Sequence, residues 1–220
     1  MPAAKGTITY ATWYVTEEPG EGFRDQLMDA IKKHAFIEVD VDAGKDRSIG
    51  WTVMGEPFNV SMTWDKVFVD PYVCISLRED TIKVPKTAFQ AYYDKREVEY
   101  MKESGKDMLK KSERATLKED VLLNLRKRAL PDIKTFDVVW NTLDGSLRIW
   151  THSKKINESF EEIVRETWGV RIVPQAPYTV MMARHDDPAL ANILLDLIPA
   201  DLVNEIEDVA RAEPATEGEE

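Results

Sequence analysis

The chain has little cysteine and no long apolar run. Among its 220 residues there is one cysteine, Cys74. It can form neither an intrachain disulfide nor a multi-cysteine zinc site, and its VCISL setting reads as a small apolar core position. No apolar stretch approaches the roughly 20 residues of a membrane-crossing helix. The start MPAAKGTITY lacks the apolar core of a secretion signal. Histidine is scarce as well: His34, His152 and His185 lie far apart, and none belongs to an H-E-x-x-H array. Gly20-Glu21-Gly22 lacks the third glycine of a dinucleotide loop. Gly105-Lys106 is followed by Asp107 and has no upstream glycine, so it is no Walker loop, and G-x-S-x-G is absent. No cofactor and no metal are expected. The remainder reads as a soluble cytoplasmic protein, 43% hydrophobic and long enough to bury a core without staples.

A net charge of −11 argues at first against nucleic acid. The charges are segregated, however. Residues 1–82 carry −6, residues 83–134 carry +5 from 14 basic and 9 acidic side chains, residues 135–185 are neutral, and residues 186–220 carry −10. One internal stretch is basic between acidic ends, which can place a positive patch on an otherwise self-repelling particle. The default alternative is an ordinary solvated helical face.

Thr7 to Thr16 is rich in β-branched and aromatic residues and ends at Glu17-Glu18-Pro19-Gly20, a strand followed by a turn. Phe23, Leu27, Ile31 and Ala35 recur at helical spacing, and Phe36 to Val41 alternates as a half-buried strand does. Further strands are expected around Val60 to Trp64, Lys66 to Val69 and Tyr72 to Leu77. From Pro85, Phe89, Tyr92, Arg96 and Tyr100 mark a charged helix interrupted at Ser104-Gly105-Lys106. Thr116-Leu117-Lys118-Glu119 fits a capping box opening a second helix, with Leu117, Val121, Leu122, Leu125 and Ala129 on its apolar face and Pro131 at its end. The two helices form a protruding arm. Phe136 to Asn141 and Leu147 to Thr151 flank Asp144-Gly145, a tight-hairpin signal. Ser153 caps a helix with a stripe of Ile156, Phe160, Ile163, Val164 and Trp168, closed by Gly169. Val170 to Val173 and Tyr178 to Ala183 read as strands. The expected fold is α+β: a β-α-β-β body over 1–83, a basic helical arm over 84–134 and a β-β-α-β half over 135–185. Acidic helices over 186–212 and a disordered tail over 213–220 complete it.

A metal-dependent nuclease needs carboxylates converging on a cation and a nearby lysine. Asp40, Asp42 and Asp46 form the densest acidic cluster after the first helix, and Pro131-Asp132-Ile133-Lys134 resembles part of a nuclease signature. Both have ordinary structural readings, as the exposed side of a strand and as a helix-stop turn. The arm is more informative. Lys95, Arg96, Lys102, Lys106, Lys110, Lys111, Arg114, Lys118, Arg126, Lys127 and Arg128 supply repeated cations that could neutralise phosphates and release counterions. No compact set of base-reading side chains accompanies them, so binding should depend weakly on sequence and strongly on salt. Tyr92, Tyr93 and Tyr100 could stack on bases or belong to the helix core.

At this point the sequence resembles the RdgC family of recombination-associated bacterial DNA-binding proteins, which carry an exonuclease label. The stretches that carry the likeness are Ile49-Gly50-Trp51 with Gly55 downstream, CISLREDTIKVPKTAF (74–89), LKKSERATLKEDVLLNLRKRALP (109–131), VVWNTLDGSLRIWTHSKK (138–155) and WGVRIVP (168–174). They are collinear with the family over residues 7–183. The resemblance implies an α+β homodimer that closes into a ring with a basic hole, binds double-stranded DNA and restrains RecA-type recombinase in the nucleoid. It makes the eleven arm cations candidates for facing DNA. Where the family commonly has a Phe that helps a subunit contact, this chain has Leu130. Where the family continues into a further basic, strand-rich section, this chain has an acidic end, which leaves ring closure open. The competing expectations are a metal-dependent DNA exonuclease and an acidic protein-interaction module that does not bind DNA.

Overall fold

The computed structural model describes Ala3, residues 9–16 and 22–184, and Ile193. The chain divides into two units, Met1–Gln175 and Ala176–Glu220. In the first unit the elements run β1 (Ala11–Val15), α1 (Phe23–Lys33), β2 (Arg47–Val53), α2 (Trp64–Val67), β3 (Phe68–Val69) and β4 (Tyr72–Thr81), followed by α3 (Lys86–Ser104), α4 (Lys111–Arg128), β5 (Asp132–Asn141), β6 (Ser146–Ile149), α5 (Lys154–Trp168) and β7 (Ile172–Pro174). In the described part of the second unit, α6 spans Pro177–Arg184. The class is α+β.

Seven strands pair in the order β2-β4-β5-β6-β1-β7, with β3 also on β4, and every ladder is antiparallel. Side chains alternate across a strand, so Val73, Ile75 and Leu77 of β4 share one face with Val138 and Trp140 of β5. The apolar stripes of α1 (Leu27, Met28, Ile31) and α5 (Ile156, Phe160, Ile163, Val164, Trp168) join these residues in one core. At its centre Trp51 stacks on Trp168 with centroids 5.3 Å apart, and its indole N–H donates to the Thr167 hydroxyl at 2.8 Å. That partner allows the polar end of Trp51 to be buried without the loss of a hydrogen bond.

Gly50 has a specific reason to be glycine. The segment after α1 lies against β2: the Phe36 N–H donates to the Trp51 carbonyl at 2.9 Å, and the Trp51 N–H donates to the His34 carbonyl at 3.0 Å. A Cβ on Gly50 would meet the Phe36 Cα at 2.5 Å. The approach is open only to a residue without a side chain.

β4 ends in three buried charged residues. Arg78 donates to both Asp80 carboxylate oxygens at 2.7 and 2.6 Å and to the Pro57 carbonyl at 2.9 Å, with its guanidinium over the rings of Phe36 and Phe58. Glu79, on the helix-covered face, pairs with Arg47 at 2.5 Å and Lys155 at 3.8 Å. Every charge in this group is met by an opposite one, as burial requires.

Several sequence expectations are corrected. Residues 36–41 alternate like a strand but form a loop, because Asp40 takes up turn chemistry. Its side chain accepts from the Ala43 N–H at 3.0 Å and its carbonyl from the Lys45 N–H at 3.1 Å. The strand of this region is instead β2. Val60 to Trp64 is likewise not a strand, since the Asn59 side chain accepts from the Ser61 N–H at 2.8 Å and Trp64 opens α2. Within Lys66 to Val69 only Phe68 and Val69 are extended. Tyr178 to Ala183 is helical: Pro177 occupies the first helical position, and the Thr179 hydroxyl accepts from the Ala176 N–H at 2.8 Å. The β5–β6 turn is a loop over 142–145 in which only Gly145 has positive φ, rather than a two-residue hairpin. Ser153 stands at the N-cap of α5 without a side-chain cap bond, whereas Gly169 does close that helix in the left-handed region at φ 68°. Cys74 is half-buried on the sheet face opposite the helices. Burial pushes its thiol pKa up, and the Asp137 charge adds to this. The turn at 17–20, the expected helices over 186–212 apart from Ile193, and the tail at 213–220 lie outside the described residues.

Candidate nucleic-acid interface

β4 and β5 are neighbours along their full ten-residue length, with Thr81 opposite Asp132. Their connection is the arm, a pair of helices of 19 and 18 residues. At 1.5 Å per residue each is about 27 Å long. The arm has a core of its own in Tyr93, Leu109, Leu117 and Val121, supported by Phe89, Tyr100, Met101 and Leu125. Phe89 stacks on Tyr93, one helical turn along, at 6.2 Å. The buried stripe of α3 therefore uses Tyr93, and Tyr92 is half exposed. Burial, followed by the charge of Glu97, raises the Tyr93 pKa above its ordinary value.

The cap of α4 lies earlier than its sequence signal suggested. The helix begins at Lys111, and the Glu113 carboxylate accepts from the Lys110 N–H at 2.9 Å. Thr116 is inside the helix, and its hydroxyl donates back to the Ser112 carbonyl at 3.3 Å. The Thr-x-x-Glu pattern at 116–119 is therefore not a start. Gly105, at φ 62°, ends α3.

The eleven candidate cations divide into groups. Six meet carboxylates: Lys95 with Glu99 at 4.0 Å, Arg96 with Glu99 and Glu103 at 3.6 and 3.1 Å, Lys106 with Glu113, Arg114 with Glu97 at 3.3 Å, Arg126 with Asp46 at 3.7 Å, and Lys127 with Asp42 at 2.5 Å. Lys118 lies over the Tyr93 ring at 5.5 Å. Lys102, Lys110, Lys111 and Arg128 are exposed and have no ion pair among the described residues. Lys86, at the first turn of α3, shares that condition and was not among the sequence candidates. The i,i+3 and i,i+4 pairs to Glu99 follow from helical spacing. The loop-to-helix pair Lys106–Glu113 and the cross-helix pair Arg114–Glu97 need the hairpin to form before they can be seen. The Lys106 hydrogen bond, then the Lys110 N–H, hold the Glu113 carboxyl below its ordinary value, and the same contact raises Lys106.

A groove of about 300 Å³ between the arm helices is lined by Tyr92, Lys95, Arg96, Asp120, Asn124 and Arg128. Leu130, where α4 returns to the sheet, is 92% exposed. Asp42 and Asp46, read from sequence as carboxylates of an acidic cluster, face Lys127 and Arg126, while Asp40 is turned into its own loop. Asp132 is paired with Lys134 at 3.5 Å and Lys83 at 3.9 Å. Among the described residues, no group of three or more His, Cys, Asp or Glu side chains is placed to hold a metal ion. No described helix is long and apolar enough to cross a membrane.

These features define an α+β protein with a cationic two-helix arm inserted between adjacent antiparallel strands. Residues 10–189 match the family model described as "Putative exonuclease, RdgC", and the chain belongs to the RdgC family. No curated protein matches it.

Proposed function

We propose that this protein binds double-stranded DNA through backbone phosphates, with little regard to sequence, and thereby limits the access of RecA-type recombinase. The observation that carries the reading is the set of arm cations that are exposed and have no ion pair among the described residues: Lys102, Lys110 and Lys111 toward its tip and Lys86 and Arg128 at its base. An unpaired lysine can neutralise a phosphate and release counterions without first displacing a carboxylate. The six paired cations contribute less, because each already has a partner. The proposal includes a homodimer with Leu130 as a contact residue, acting in the cytoplasm at the nucleoid. Binding to unrelated duplexes across a salt series tests it: similar affinities and a steep salt slope support it, and no binding at low salt overturns it.

The family description favours a second reading, a metal-dependent exonuclease. End-labelled DNA incubated with magnesium or manganese separates the two, since shortening of the products would establish degradation. A third reading, an acidic interaction module that leaves DNA alone, would be supported by failure to bind any duplex.

A further inference from the structure

At the tip of the arm, neighbouring residues face opposite ways. Leu109 is 7% exposed and closes the arm's core, while Met108 is 78% exposed. Lys110 and Lys111 follow Met108 within three residues and Lys102 stands in the last turn of α3; all three are exposed and have no ion pair among the described residues. Lys106 is held by Glu113, and Asp107 is the one carboxylate of the connecting loop itself. Leu130 and Leu143 are exposed to a similar degree, but Met108 differs from them in standing on the arm's connecting loop with lysines close to it in sequence. One methionine is far too small an area for a protein partner, which needs roughly 800 Å² on each side. It does suffice as a wedge against DNA, where single Met, Leu, Ile or Phe side chains enter between base steps while neighbouring cations hold the phosphates.

Resting on the DNA-binding reading above, we propose that Met108 is an apolar wedge that presses into a base step of duplex DNA, with Lys102, Lys110 and Lys111 seated on the flanking phosphates. The unbranched thioether adapts to the gap that opens. Steps that unstack readily, TpA and CpA, are the preferred sites, which adds a weak step preference to otherwise indifferent binding.

The test uses the full chain and duplexes carrying 2-aminopurine at a TpA step, whose fluorescence rises when the base unstacks. Wild type and Met108→Leu raise the signal, whereas Met108→Ala binds about three- to tenfold more weakly with no rise, as expected for a lost wedge contact. Since Met108 is exposed, unchanged thermal melting verifies that each variant is folded. Equal affinity and equal fluorescence in Met108→Ala overturn the wedge and leave DNA binding intact. Loss of binding by wild type itself overturns the underlying reading instead. A change of solution mass in Met108→Ala without any change on DNA would assign the residue to a second copy of the chain and also overturn the wedge.

Discussion

The Lys127 ammonium lies 2.5 Å from the Asp42 carboxylate at the root of the arm. Its neighbour Arg126 lies 3.7 Å from Asp46, so the last turn of α4 is fastened to the loop between α1 and β2. Two cations at the end of a helix are also well placed against its macrodipole.

Removing this clamp should strengthen DNA binding. In Asp42→Asn with Asp46→Asn, two exposed pairs are lost at a stability cost of about 1 kcal/mol or less each. One arginine and one lysine charge become free for phosphate, and the salt slope steepens by up to about 1.8. Affinity measured across a salt series checks this; weaker binding would mean that the clamp orients the arm for DNA.

Gly50→Ala should destabilise the protein by about 1–3 kcal/mol, the range for forced overpacking. The added Cβ meets the backbone at Phe36, which cannot rotate away as a side chain would. Denaturant unfolding measures it, and a neutral substitution would show that the segment after α1 shifts freely from β2.

Asp80→Ala leaves the Arg78 guanidinium buried without its bidentate partner. Breaking such a pair costs about 3–5 kcal/mol. The double variant Arg78→Met with Asp80→Leu should recover much of that loss in the same unfolding measurement.

The cap of α4 should be acid-labile. The Glu113 carboxyl is depressed from its ordinary 4.5, first by the Lys106 hydrogen bond. A group depressed in the folded state stabilises fully above its unfolded value and loses that contribution as pH falls through the folded one. Helical backbone chemical shifts at residues 111–114 should persist above the ordinary glutamate value of 4.5 and weaken only as pH falls well below it. Glu113→Gln should remove that pH dependence.

The arm was legible in the sequence because its cues are local: Pro85, Gly105, helical apolar spacing and a basic run ended by Pro131. The α5 stripe was legible for the same reason. β2 was not, since Arg-Ser-Ile-Gly-Trp-Thr-Val carries a glycine whose need appears only when Phe36 lies against it. Residues 178–183 misled in the opposite direction: β-branched residues suggested a strand, and Pro177 with the Thr179 bond set a helix. At the candidate interface, composition identified the cations. Which of them are free depended on carboxylates from another helix or loop, Glu97, Glu113, Asp42 and Asp46, and spacing along one chain segment does not reveal those partners.

The central claim is that free arm cations hold DNA by its phosphates. The most direct measurement is the salt dependence of binding to two unrelated duplexes, for the wild type and for Lys102→Ala/Lys110→Ala/Lys111→Ala. The account predicts weaker binding to both duplexes alike and a salt slope shallower by about 2.7. A triple variant that binds as the wild type does, with the same slope, would contradict it.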